Sequence, residues 1–175
     1  MKKLLLVIDY QKDFVDGSLG FEKAKHIDLN IANKIDEYRK ENNDVIFTFD
    51  THYEDYLNTM EGKLLPIPHC IKGSEGHKLY GLTAKKLLPS DLIFEKEVFG
   101  SKELGKYLEN NFYDEIELVG IVSNICVISN AIIARSFSKE SKIIVDANCV
   151  ASMDDEMNKK VLDVMERLQI SVINK

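Results

Sequence analysis

Gly120-Ile121-Val122-Ser123-Asn124-Ile125-Cys126-Val127 is the stretch that sets the fold. Glu117 to Ile121 reads as a strand. Ser123-Asn124 supplies a tight turn, and Ile125 opens a segment to Phe137 with Val127, Ile128, Ala131, Ile132 and Ala134 at helical spacing. Strand, turn and helix start form the repeating unit of an α/β fold. Cys126 then falls on a helix first turn, where unpaired backbone N–H groups and the positive end of the macrodipole favour thiolate over thiol. A cysteine taken alone is more often a small buried hydrophobe, so the remaining segments decide its role.

Working outward, the same unit recurs. Leu4 to Ile8 is a continuous apolar run, the pattern of a strand covered on both faces, and Asp9 stands at its carboxyl end. Asn30 to Arg39 carries Ile31, Ile35 and Tyr38 at helical spacing, and Val45 to Phe49 is a second strand ending at Asp50. Leu92 to Phe94 predicts a short strand ending at Glu95-Lys96, and Ser101 to Glu109 a helix with Ser101 as its cap. Ile143 to Val145 reads as a strand ending at Asp146, Asp154 to Leu168 as a helix and Ile170 to Ile173 as the last strand. Residues 51–82 hold no sustained period and are broken by Gly62, Pro66, Pro68, Gly73, Gly76 and Gly81. A loop of that length in a small domain is usually functional.

Strands alternating with helices imply a three-layer, Rossmann-like α/β fold: a mostly parallel twisted sheet with helices on both faces, residues 1–175 forming one domain. Ligands in such sheets bind beyond the carboxyl ends of the strands. Asp9, Asp50, Lys96 and the segment before Cys126 all fall there.

Composition narrows the classes. The net charge of −6, with lysines scattered among acids, argues against a nucleic-acid partner. The apolar run after Lys2-Lys3 stops at Asp9 without a cleavage pattern, and no stretch approaches membrane-spanning length, so the expectation is a cytoplasmic protein with no membrane partner. Cys70, Cys126 and Cys149 are an odd number without CxxC spacing, which fits reduced thiols.

A cysteine attacks best when one group takes its proton and another holds that base. Asp9 and Lys96 are the candidates, a carboxylate to accept the proton and an ammonium to steady both negative charges. Backbone N–H groups of Val122 and Cys126 could face a developing oxyanion. Together these would make an acyl-transfer site. Asp50 and His52 lie two residues apart on one side of an extended segment, and Glu61 and His69 follow. That mixed oxygen and nitrogen set suits Zn²⁺, Fe²⁺ or Mn²⁺. On the residues alone, loop histidines satisfied by backbone groups remain an equal alternative.

Three motifs carry a resemblance: Val7-Ile8-Asp9-Tyr10-Gln11-Lys12-Asp13-Phe14 with Gly17-Ser18-Leu19, then Phe94-Glu95-Lys96, then the opening stretch. In that order and spacing they resemble the isochorismatase-like cysteine hydrolases. The resemblance implies Asp9, Lys96 and Cys126 as catalytic triad, and a cis peptide at Ile121-Val122 that aims the Val122 N–H at the oxyanion. Asp50, His52, Glu61 and His69, with Pro66-Ile67-Pro68-His69, are similar to the metal site of the nicotinamidase branch. This implies a divalent metal, Zn first, with Fe or Mn as alternatives, which binds a pyridine nitrogen of a small amide substrate. It also implies a homo-oligomer. Many nicotinamidases place an aromatic residue before the Pro-His segment where this chain has Leu65-Pro66, so Phe14, Tyr10 or Tyr53 is expected to supply the aromatic wall. A relative acting on another small amide or a vinyl ether, and a non-catalytic binding domain, are the alternative readings. His26 and His77 read as surface residues, Cys70 and Cys149 as buried structural thiols.

Overall fold

A computed structural model describes all of residues 1–175. Six strands form its centre: β1 (Lys3–Ile8), β2 (Asp44–Asp50), β3 (Leu92–Lys96), β4 (Glu115–Ile121), β5 (Lys142–Ala151) and β6 (Ser171–Ile173). All pair in parallel, in the order β3-β2-β1-β4-β5-β6, with Val7 opposite Phe47 on one side and Val119 on the other. The central strands are apolar on both faces because both faces are covered.

Alternation along β1 sorts the two cores. Leu4, Leu6 and Ile8 pack with Leu104 and Leu108 of α6 (Lys102–Asn110), Ala131 and Ala134 of α7 (Ile128–Phe137), and Leu162 and Met165 of α8 (Asp155–Arg167). Leu5 and Val7 face Ile31, Ile35 and Tyr38 of α3 (Asp28–Lys40) on the opposite side. Full burial of one such Leu or Ile contributes about 1.5–3 kcal/mol. Caps set the helix starts as expected: the Ser101 hydroxyl accepts from Leu104 N–H at 3.1 Å, and the Asp154 carboxylate from Met157 N–H at 3.0 Å.

Three expectations are corrected. β5 continues past Asp146 to Ala151, with a register shift against β4 between Leu118 and Gly120, so Asp146 lies inside the strand rather than at its end. The loop read over 51–82 holds a 3₁₀ turn (Tyr56–Asn58), α4 (Met60–Leu64) and the start of α5 (Gly81–Lys86), and two short helices with no counterpart in the sequence reading, α1 (Lys12–Val15) and α2 (Glu22–His26), lie between β1 and α3. Each of these helices is too short to be stable alone, so periodicity carries no signal for them. The polypeptide entering α7 first makes a π-helical turn over Ser123–Val127. No helix is long and apolar enough to cross a membrane.

Candidate active site

The carboxyl ends of β1, β2, β3 and β4 bring Asp9, Asp50, Lys96 and Cys126 together, as the strand ends predicted. Asp9 turns out of β1 with φ 45°, its N–H donating to Thr48 O at 3.1 Å. The Thr48 hydroxyl donates to Asp9 Oδ1 at 2.7 Å. Lys96 Nζ lies 2.6 Å from Asp9 Oδ2, 3.2 Å from Asp50 Oδ1 and 3.7 Å from Cys126 Sγ. Its approach to Oδ2 is a close ion contact, off the direction of an aligned hydrogen bond. All four groups are buried. One ammonium therefore sits among two carboxylates and a thiol.

Burial governs the electrostatics. It lifts the Cys126 thiol well above its usual range, and the negative Asp9 beside it adds to that lift, while Lys96 opposes it. Against the thiolate preference expected from the helix first turn, desolvation is the largest influence on Cys126 and acts toward the thiol. Burial raises Asp9 as well, Lys96 pulls it down, and the net direction is upward, toward a better proton acceptor. Desolvation works against the Lys96 ammonium, but Asp9, Cys126 and Asp50 outweigh it and keep the lysine charged.

Gly120 lets this corner close. Its φ is +117°, and a Cβ there would collide with the Ile8 carbonyl, one residue before Asp9. The Ile121–Val122 peptide is cis. The Val122 carbonyl accepts from Ile125 N–H at 3.1 Å and from Val127 N–H at 3.2 Å, which winds the turn that carries Cys126. The Val122 N–H donates to no other group of the chain.

Beside Asp9, Lys96 and Cys126, one potential ligand atom each from Asp50, His52, Glu61 and His69 lies within 4.8 Å of the other three. His52 Nε2 is 3.0 Å and His69 Nε2 3.4 Å from Asp50 Oδ2, and each is 3.8 Å from Glu61 Oε1. The His69 Nδ1–H donates to Ile67 O at 2.8 Å, which leaves the Nε2 lone pair for a ligand. Despite burial, the His52 and His69 imidazoles beside it and the Lys96 charge hold the Asp50 carboxyl well below the usual range. Burial and Asp50 push Glu61 up. Asp50 thus faces both clusters, with Oδ1 toward Lys96 and Oδ2 toward the imidazoles.

The family comparison matches the isochorismatase domain to residues 3–174. The chain belongs to the isochorismatase family. An isochorismatase family protein of Bacillus subtilis is 34% identical over 89% of this chain and 90% of its own length. The crystal structure of a pyrazinamidase/nicotinamidase from Streptococcus mutans superposes with TM-score 0.88 at 30% identity, over 98% of this chain and 100% of that one. A pyrazinamidase of Pyrococcus horikoshii, crystallised in complex with zinc, shares the fold at TM-score 0.86 and 21% identity, over 100% of each chain.

In this isochorismatase-family chain, Cys126, Asp50, Glu61 and His69 line a common cavity of about 290 Å³, walled mainly by apolar side chains. Of the three aromatic residues expected at the wall, only Phe14 is there, its ring 5.4 Å from His69. Tyr10 is fully buried in the opposite core with its hydroxyl donating to Ala24 O at 2.5 Å, and Tyr53 is exposed on a different, more polar hollow. Phe21, Leu65, Phe99 and Met153 are also in the wall; they lie in irregular segments, where no periodicity marks them.

Two further residues were not apparent from sequence. Gln11 is fully buried and clamps Asp50: its Oε1 accepts from Asp50 N–H at 2.8 Å, and its Nε2 donates to Asp50 O at 2.8 Å and to His77 O at 2.9 Å. His77, expected at the surface, is half-buried, with its ring 2.8 Å from the Thr51 hydroxyl and edge-on to Phe49. His26 is exposed, and Cys70 and Cys149 are buried free thiols.

Proposed function

We propose that the protein is a cysteine amidohydrolase that converts nicotinamide to nicotinate and ammonia. The observation that carries this reading is the placement of Lys96 Nζ at 2.6 Å from Asp9 and 3.7 Å from Cys126, beside a four-donor cluster that shares Asp50 and opens into the same cavity. The 30% identical Streptococcus mutans pyrazinamidase/nicotinamidase supports the choice of substrate.

In the first half-reaction, the Cys126 Sγ–H proton passes to Asp9 as sulfur attacks the carboxamide carbon. Asp9 as acceptor is supported by the shared Lys96 ammonium, whose Nζ lies 2.6 Å from Asp9 Oδ2 and 3.7 Å from Cys126 Sγ. The Val122 and Cys126 N–H groups stabilise the oxyanion. The C–N bond then breaks, Asp9 returns the proton to the leaving nitrogen, and ammonia departs from a thioester. In the second half-reaction Asp9 deprotonates a water that attacks the thioester, which releases nicotinate and restores the thiol. Throughout, Lys96 stays charged and offsets the negative charge that develops between Asp9 and Cys126.

Asp50, His52, Glu61 and His69 fit a divalent cation by donor chemistry, with Zn²⁺ favoured by two imidazoles and Fe²⁺ or Mn²⁺ as alternatives. Bound there, the ion would supply a Lewis-acid anchor for a pyridine nitrogen. The apolar wall with Phe14 would hold the flat ring. We read the protein as cytoplasmic from its sequence pattern and as a homo-oligomer from the family resemblance.

Ammonia release should be measured across nicotinamide, pyrazinamide and aliphatic amides, with bound metal quantified on the same sample. The expected result is preference for the two heteroaromatic amides and about one metal ion per chain. Equal turnover of aliphatic amides without bound metal would shift the assignment to another small amide.

A further inference from the structure

Residues 53–67 form a self-contained lobe. Tyr56 N–H donates to Tyr53 O, Asn58 N–H to Asp55 O, Lys63 N–H to Thr59 O and Leu65 N–H to Glu61 O, while the Tyr56 hydroxyl donates to Leu65 O at 2.8 Å. Every hydrogen bond of the segment closes within it except the one that Ile67 O accepts from His69 Nδ1. Its base is pinched shut, with His52 N–H donating to Cys70 O at 3.0 Å and Lys72 N–H to His52 O at 2.8 Å. This has the form of an Ω-loop, compact, with its ends together and its backbone hydrogen bonds closed on itself.

What holds the lobe down is narrow. Tyr56 is its deepest side chain, and its ring meets His52 edge-on at 4.7 Å and His69 at 5.1 Å. The lobe's only ion-pair contacts with the rest of the chain join Glu61 to His52 and His69, each at 3.8 Å. On the outer side Leu57, Met60 and Leu64 are exposed and grip nothing. Both anchors therefore rest on the donor cluster. Asp50, His52 and His69 belong to the strand end and to the base of the lobe, so Glu61 is the one donor that moves with it. Leu65, on the same lobe, walls the Cys126 cavity.

We propose that residues 53–67 are a metal-latched flap. A divalent cation shared by Glu61 and the three fixed donors ties the flap down, and loss of the cation lets it swing out about the His52–Cys70 base, removing the Leu65 wall from the cavity. Without a cation, Glu61 faces the Asp50 carboxylate with only the two imidazoles between them. The local opening is then opposed chiefly by Tyr56 packing. This inference rests on the metal reading above and adds the mechanical consequence for one segment.

Hydrogen exchange read by mass spectrometry on the full chain tests it, with Zn²⁺ as probe and metal content measured on each sample. Amides of 56–65 should exchange about tenfold slower in zinc-loaded than in chelated protein, with peptides of β1 and β4 unchanged as a control for folding. Glu61→Gln should leave the flap fast at every zinc concentration. His52→Ala, which removes a fixed donor, should regain protection once zinc saturates. The proposal is overturned if zinc does not alter exchange in 56–65, or if zinc protects the flap of Glu61→Gln as in the parent. Failure to bind stoichiometric zinc would instead show in the metal content and remove the metal reading itself.

Discussion

Replacing Gln11 by alanine separates the scaffold of the site from its chemistry. Gln11 touches neither Cys126 nor Asp9 through its side chain; it holds the backbone of Asp50 by two hydrogen bonds at 2.8 Å and the His77 carbonyl by one at 2.9 Å. Truncation leaves three backbone polar groups without their partner, each costing about 1–3 kcal/mol when buried. The space vacated is of the order of one or two waters, which can re-bond part of the set, so the lower end of the range applies: about 3 kcal/mol in total. At a urea slope of about 2 kcal/mol/M, the unfolding midpoint should fall by about 1.5 M without change in slope. Because Asp50 also reaches Lys96 and both imidazoles, zinc affinity should drop about 10–100-fold, the usual effect of losing a residue that orients a ligand. A midpoint within about 0.3 M of the parent, with unchanged zinc affinity, would refute the clamp.

Other outcomes follow from particular residues. Gly120→Ala places a Cβ against the Ile8 carbonyl at φ +117° and should cost about 3 kcal/mol or more; a loss below about 1 kcal/mol in denaturant titration would mean the strands separate freely there. Burial raises the Asp146 carboxyl, but the Asn174 amide, the Lys34 ammonium and the Asn148 N–H outweigh it and hold it below the usual range. A folded pKa below the unfolded value of about 4 contributes stability above that pH and loses it as pH falls through the depressed value. Asp146→Asn should therefore lower stability at neutral pH and flatten the acid limb of the stability curve; an unchanged acid limb would assign it to other carboxylates. Thr48→Val removes the hydroxyl that donates to Asp9 Oδ1 and should reduce kcat with little change in KM, whereas a change in KM alone would place Thr48 in binding.

The legible parts of the fold are those where burial and period agree. β1, β2 and β4 are apolar on both faces and stand out by composition, and α8 declares itself by an acidic cap and a clear apolar stripe. The sequence ends β5 at Asp146, whereas in the structure the strand runs on to Ala151 and the Asp146 carboxylate meets the Lys34 ammonium at 2.9 Å, a tertiary contact with no local signal. The grouping of Asp9, Lys96 and Cys126 was readable because strand ends converge in any parallel sheet. The burial of Cys126 was not, since a first-turn position carries the macrodipole but says nothing about desolvation. Gln11 was invisible for a related reason: one glutamine after a strand has no period, and its partners lie 39 and 66 residues away.

Ammonia release from nicotinamide by Cys126→Ala, compared with the parent protein at matched metal content, tests the central claim most directly. Cys126 contributes its sulfur to a buried corner beside Lys96, so the variant should keep its fold by circular dichroism and its metal while turnover falls to the uncatalysed rate. Retained ammonia release by the folded variant would contradict a nucleophilic Cys126 and with it the thioester route.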